Sequence, residues 1–262
     1  MADADALREA GAPALPAGPG QAAPPPVATP QDDSVMSLVD HLGELRTRLF
    51  RSILAVAVGS IVGFYFGRDI RNFLIEPLPM PTVQVLGLGD AFAIQLRIAL
   101  VVGIILAMPV LLYQIWAFVA PGLTPNERKT VRPWIPLALV FFALGVAIAY
   151  FVLPYAATFL IGFTDEVLVA NIAAGPYFDF VTTMFLAFGL VLEFPILLVG
   201  LSRVGILSSE RLTASRRFVI LGIAIFSAVA TPGGDLISPI VLGGTMYLLF
   251  ELTVLFIKRS GK

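Results

Sequence analysis

The sequence predicts an all-α fold: a polytopic membrane protein of six transmembrane helices, N-terminus and C-terminus both cytoplasmic, with short fifth and sixth helices. Three observations carry this expectation. Of 262 residues, 58% are hydrophobic and only 13% charged, with a mean hydropathy of +0.90, whereas soluble chains carry about 25% charged residues. So few charges cannot coat a water-facing surface, which sets aside soluble enzymes, nucleic-acid binders and secreted scaffolds. The apolar residues also gather into six runs, and Lys and Arg sort to one side of them.

The elements follow in chain order. Residues 1–36 are an Ala/Pro/Gly-rich cytoplasmic tail that cannot bury enough apolar surface to offset its ordering entropy, so disorder is expected. The tail opens with Asp3 and Asp5 and has no apolar core, so it does not read as a signal peptide. Met36, where ordered sequence begins, is a candidate translation start. Residues 37–257 form the six-helix membrane domain. Leu38, Leu42, Leu45 and Leu49 make one helical stripe, and Ser37 with Asp40 reads as a capping box. This is expected as a short amphipathic helix at the bilayer surface, leading into the first span.

About 20 apolar residues cross about 30 Å of hydrocarbon. Spans are therefore predicted at 50–66, 94–119, 134–153, 179–201, 217–231 and 236–257. Pro232-Gly233-Gly234 closes the fifth run early; at about 1.5 Å per residue it reaches only ~21 Å. The last hairpin should thin the bilayer locally. Residues 258–262 form a basic cytoplasmic C-terminus. With the N-terminus inside, only Arg68, Arg71 and Arg97 of the 17 basic residues lie outside, a decisive positive-inside bias. The outer loops, 67–93 and 154–178, are long. No internal repeat of the kind common in secondary transporters is visible.

Absent cysteine and a single histidine, His41, exclude disulfides, thiolate catalysis and a His-rich metal site; no metal or cofactor is expected. Glu193 lies inside the fourth run, where an acidic residue costs about 2.5–3.5 kcal/mol unless it faces protein, water or a polar partner. It could be a neutral carboxyl bonded to a neighbouring helix, a proton site, or a docking point for a polar group of another helix. Pro195 should kink this span. Thr124, Pro125 and Glu127 read as N-cap, N1 and N3 of a capping box, and a carboxylate so fixed keeps acceptor capacity for a guanidinium. Glu44 precedes Arg48 by four residues, a surface pair worth a few tenths of a kcal/mol, and Arg46 reads as a basic anchor. Glu251 could pair with nearby basic ends, and Asp235 is placed to cap a turn. Gln114, Trp116 and Phe118 close the second span at its interface. Catalysis finds little footing. No serine has a histidine partner in the membrane, no second acid at membrane depth joins Asp235 or Glu193, and no Gly-rich phosphate loop with a lysine appears. The chain reads as a non-enzyme.

Four stretches carry a resemblance: HLGELRTRL at 41–49, PVLLYQIWAFVAPGLTPNERK at 109–129, FLAFGLVLEFP at 185–195 and TPGGD at 231–235. With six spans and both ends inside, the chain closely resembles the TatC family, the multispanning subunits of the twin-arginine protein translocase. The resemblance covers about residues 37–257. It implies a signal-peptide receptor and core subunit that exports folded proteins across the cytoplasmic (inner) membrane on the proton-motive force. The implied partners are the single-span subunits TatA and TatB, twin-arginine signal peptides and the lipid bilayer, in homo- and hetero-oligomers, with no nucleic acid. It implies signal-peptide binding by Glu44, Arg46, Phe118, Glu127 and Arg128, an intramembrane contact with partner helices or the signal at Glu193, and roles in assembly or translocation for Pro77, Gln114 and Asp235. Lys129 stands where an arginine is frequent, keeping the charge but losing the planar fork. Ser238-Pro239 stands where Ser-Gln is expected. The alternative from the residues alone is a proton-coupled small-solute transporter built on Glu193, and the blandest reading is a scaffold without a ligand.

Overall fold

The computed structural model describes residues 38–79, 82–167, 169–203, 205, 207–231 and 234–259. The expected disordered tail, Ser37 and the last three residues lie outside them. The chain divides into two units, Met1–His41 and Leu42–Lys262. Of the first unit, residues 38–41 are helical; the second is the folded body.

Among the described residues ten α-helices follow in order: α1 (Leu38–Tyr65), α2 (Gly67–Ile75), α3 (Asp90–Val119), α4 (Pro125–Val131), α5 (Trp134–Ile161), α6 (Ala174–Val191), α7 (Phe194–Arg203), α8 (Ser209–Ala214), α9 (Arg216–Ala230) and α10 (Ile237–Arg259). Among the described residues there is no strand. An isolated bridge joins the α2–α3 and α5–α6 loops, where Gln84 N donates to Ile172 O at 2.8 Å and Ala174 N donates to Gln84 O at 2.7 Å.

Five helical stretches among the described residues are long and apolar enough to cross a bilayer. The amphipathic start and the first span are one continuous 28-residue helix, α1. The short fifth helix matches α9, whose 15 residues extend about 22 Å at ~1.5 Å per residue. The expected shortness of the sixth is corrected: α10 has 23 residues and ends only at Lys258-Arg259, with the one acid in its interior, Glu251, paired to Arg216. Two loop expectations are corrected as well. The first outer loop contains α2, whose Ile70 and Leu74 lie one turn apart and pack into the core. The second is shorter than expected, since α5 runs through Pro154 to Ile161 and α6 begins at Ala174. Pro154 removes one backbone donor, yet Leu153, Ala156 and Ala157 around it are buried, and that packing holds the helix together.

The core forms where α5 packs along α6, with α3 against both and α10 against α5, α7 and α9. Phe142, Leu153, Phe178, Val181, Met184, Phe188 and Leu242 are fully enclosed there. Gly145 lets the α5 backbone approach α6: a Cβ there would strike the Phe188 carbonyl and lie 2.8 Å from Gly189 Cα. Gly59 does the same between α1 and α3, where a Cβ would sit 2.7 Å from the Gly103 carbonyl oxygen. The outer faces of α1 and α9 are apolar and exposed, among them Phe50, Ile53, Leu54, Ile61, Phe218, Leu221 and Val229. Lipid is the solvent that such faces fit.

Candidate functional site

The polar residues predicted around α4 rest on local helix chemistry. Thr124 takes extended backbone geometry at the N-cap of α4 and Pro125 enters the first turn. The capping box is complete. Thr124 N donates to Glu127 Oε2 at 2.8 Å, and Glu127 N donates to Thr124 Oγ1 at 3.4 Å. The carboxylate is thereby aimed at the helix N-terminus, where positive partial charge accumulates. Arg128 follows on the same short helix with an exposed side chain.

Glu44 lies on α1 and is drawn into a three-residue arrangement. Arg48 Nε donates to Glu44 Oε1 at 2.8 Å, and Nη2 donates to the same oxygen. Arg48 Nη1 also reaches Gln114 Oε1 of α3 at 3.4 Å. The two charged side chains are only 19% and 17% exposed, and Gln114 is buried. The i,i+4 pair expected from spacing is therefore present, but it is shielded and braced by a second helix. The structure brings Glu44 and Gln114 together through Arg48, which the sequence reading treated only as Glu44's neighbour. It does not bring Arg46 to them. Two residues along a helix turn the side chain by about 200°, and Arg46 lines a mixed groove with Gly43, Thr47, Leu49, Phe50 and Ile53. Phe118 is half-buried near the end of α3.

The fourth span breaks at Leu192–Glu193, between α6 and α7. Pro195 in the first turn of α7 has no N–H to return to the Val191 carbonyl, and the chain turns through Glu193 N to Leu190 O at 3.2 Å instead. Glu193 is half-buried, and its Oε1 has no hydrogen-bond partner among the described residues. Beside the break lies an apolar groove of about 460 Å³ lined by Leu190, Val191, Phe194, Val219, Ile223 and Met246.

Of the remaining predicted residues, Pro77 and Asp235 lie in turns between helices, and Glu251 lies in the C-terminal half of α10. Pro77 is half-buried in the turn after α2, next to Leu78, which is buried in the core. Asp235 is buried, and its Oδ1 accepts from Ser238 N at 2.6 Å, so it caps the start of α10. Glu251 pairs with Arg216 Nη2 at 2.5 Å and ties α10 to α9. Two further polar links escaped the sequence reading. Asp179, a second acid in the fourth span, forms an ion pair with Arg97 of α3. Gln95 accepts from Arg71 and donates to Phe64 O at 2.7 Å, joining α3 to α2 and the end of α1. Nothing in linear spacing signals either.

The family profile described as "Sec-independent protein translocase protein (TatC)" matches residues 40–244. The TatC of Carboxydothermus hydrogenoformans is 34% identical over 87% of this chain and 95% of its own length. That of Azotobacter chroococcum is 38% identical over 87% of this chain and 92% of its own. The chloroplast TATC of rice, Oryza sativa, is 34% identical over 88% of this chain and 65% of its own. Among solved structures, the crystal structure of the twin-arginine translocase receptor TatC in DDM superposes with a TM-score of 0.74 at 33% identity, covering 83% of this chain and 99% of that one. These likenesses favour the translocase over a solute transporter. The chain is a multi-pass protein of the cytoplasmic membrane and a subunit of the twin-arginine translocase, and it belongs to the TatC family.

Proposed function

We propose that this subunit is the receptor for paired arginines in export signals, with Glu127 and Glu44 as the carboxylates that receive them. Phe118, Arg46 and Arg128 border that surface, and Glu193 meets a polar group of a partner helix or of the inserted signal. TatA and TatB are the single-span partners, the proton-motive force drives transport, and the chain supplies no catalytic step of its own. In this reading α9 counts as a short fifth span, six helices cross the membrane, and both termini are cytoplasmic. Pro77 and Asp235 act through the outer turns, and Gln114 through its hold on Arg48.

The observation that carries the reading is that Glu44 already holds a guanidinium, in a shielded place at the end of the bundle. A carboxylate takes a guanidinium through two parallel hydrogen bonds that an ammonium cannot reproduce. Such charged bonds contribute about 1.5–3 kcal/mol each when partly shielded. Two give about 3–6 kcal/mol, short of the ~8 kcal/mol of micromolar binding. The apolar part of the signal must supply the rest, so the arginines provide selectivity and the apolar segment much of the affinity.

The test is binding of a twin-arginine signal peptide to the purified chain in nanodiscs, beside its twin-lysine variant. Preference for arginine that falls with Glu127→Gln is the expected result. Equal binding of both peptides would sink the receptor assignment.

A further inference from the structure

We propose that Arg48, tethered by Gln114, is an internal guanidinium that a signal arginine must displace from Glu44, which makes Arg48 and Gln114 specificity-determining residues of this site. The inference rests on the receptor reading.

Three features argue for it. The first is the number of bonds Arg48 makes. Two of its nitrogens meet Glu44 Oε1, and Nη1 meets Gln114, which comes from another helix 66 residues along the chain and is buried. An ordinary surface pair on one helix turn has no such brace and contributes little. The second is electrostatic. Glu44 is mostly withdrawn from solvent, and a carboxylate there without a cation would be costly. Arg48 therefore sets a cation against that carboxylate at rest, so the place where an incoming arginine binds is already built for that chemistry.

The third feature is the exchange itself. Both Arg48 donors converge on one oxygen, a poorer arrangement than a guanidinium spanning both carboxylate oxygens. A signal arginine in that forked geometry can replace Arg48, whose long, flexible stem lets the head group move away while staying near Gln114. A lysine presents a compact point charge without the planar fork. It makes fewer bonds at Glu44 than Arg48 gives up, and the internal pair stays closed. The pair thus sets a threshold that a guanidinium passes and a lone ammonium does not. Affinity for a true signal is correspondingly lower than its own contacts would give, because part of that energy is spent on displacing Arg48.

The experiment is a double-mutant cycle on the full chain in nanodiscs, read by affinity for a fluorescent twin-arginine signal peptide. Arg48→Gln is expected to tighten binding about tenfold, equivalent to about 1.4 kcal/mol. In a Glu44→Gln background the same change is expected to leave affinity within about twofold, because the competitor then has nothing to occupy. A purely structural role for Arg48 would not produce that dependence on Glu44. Gln114→Met, which keeps both charges and cuts the tether, should tighten binding by less than Arg48→Gln, and it serves as the test if Arg48→Gln does not fold. Native arginine-dependent binding that weakens or stays unchanged in Arg48→Gln overturns the competitor role and leaves the receptor reading standing. Absence of arginine-dependent binding in every chain overturns both.

Discussion

Glu127 has two roles that a pair of substitutions can separate. Its Oε2 accepts from Thr124 N at 2.8 Å, while the return bond from its own N–H to Thr124 Oγ1 is long, at 3.4 Å. Glutamine at N3 also completes a capping box, so Glu127→Gln keeps α4 and loses only the charge. The helix should weaken by about 0.3–1 kcal/mol through the lost dipole interaction. A bound guanidinium loses more. A charged bond contributes about 1.5–3 kcal/mol, and because Glu127 is only half-buried the lower end applies, near a tenfold loss of affinity at about 1.4 kcal/mol per decade. Thr124→Ala does the reverse: it removes the weaker capping bond at a cost of about 0.5–1 kcal/mol to the helix and leaves the carboxylate charge in place. Peptide affinity should then change by less than about threefold. Signal-peptide binding, with amide exchange of α4 recorded on the same samples, reads both roles. If Glu127→Gln binds as well as the native chain, or if Thr124→Ala loses as much affinity as Glu127→Gln, the carboxylate does no more than start a helix.

Three further changes test the fold around the site. Gly145→Ala puts a Cβ against the Phe188 carbonyl and 2.8 Å from Gly189 Cα, both backbone, and should cost about 1–3 kcal/mol by overpacking. An unchanged melting temperature in detergent would mean that α5 and α6 are not so close. Arg216→Ala breaks a pair whose side chains are 43% and 29% exposed, so after allowance for solvent screening the loss is about 0.2–1 kcal/mol. Exchanging the charges (Arg216→Glu with Glu251→Arg) should recover at least part of it, and a double variant no more stable than either single one speaks against a direct interaction. Asp235→Ala removes the cap on Ser238 N and should cost about 1 kcal/mol, with Asp235→Asn closer to native. Equal amide protection of the first turn of α10 in both variants would refute the capping role.

How much could be read in advance depends on the range of each interaction. The apolar runs behind α1 and α3 are long, and the capping box of α4 involves residues three apart, so these were legible. The break at Glu193 was signalled by Pro195, whose missing donor acts on the turn just before it. Pro154 carries the same signal and gives no break, because burial of Leu153, Ala156 and Ala157 outweighs one lost hydrogen bond. Helix α2 was hidden by its composition, since GRDIRNFLI is polar overall, although Ile70 and Leu74 mark its buried face. The links Arg48–Gln114 and Arg97–Asp179 join separate helices, and the contact of Gly145 with Phe188 depends on how α5 lies on α6. None of these leaves a trace in periodicity.

The ionic links also bear on what the chain lacks. Arg97 meets Asp179, Arg216 meets Glu251 and Arg48 meets Glu44, so in each case an acid within or beside the bundle finds its cation on this same chain. Glu193 differs. Glu44, Glu251 and Asp235 each leave one enclosed oxygen unmatched but hold a partner on the other. The Glu193 carboxylate, with Oε1 enclosed, has no hydrogen bond or ion pair among the described residues. An acid in the interior of a span costs about 2.5–3.5 kcal/mol unless a polar group answers it. Here it sits where the helix is already broken, beside an apolar groove of about 460 Å³. A second transmembrane segment with one polar side chain would fill the groove with its apolar surface and answer the carboxylate with the polar group. Both needs are met by one occupant, and that is why Glu193 belongs with partner or signal contact in the proposed function rather than with proton-coupled solute transport.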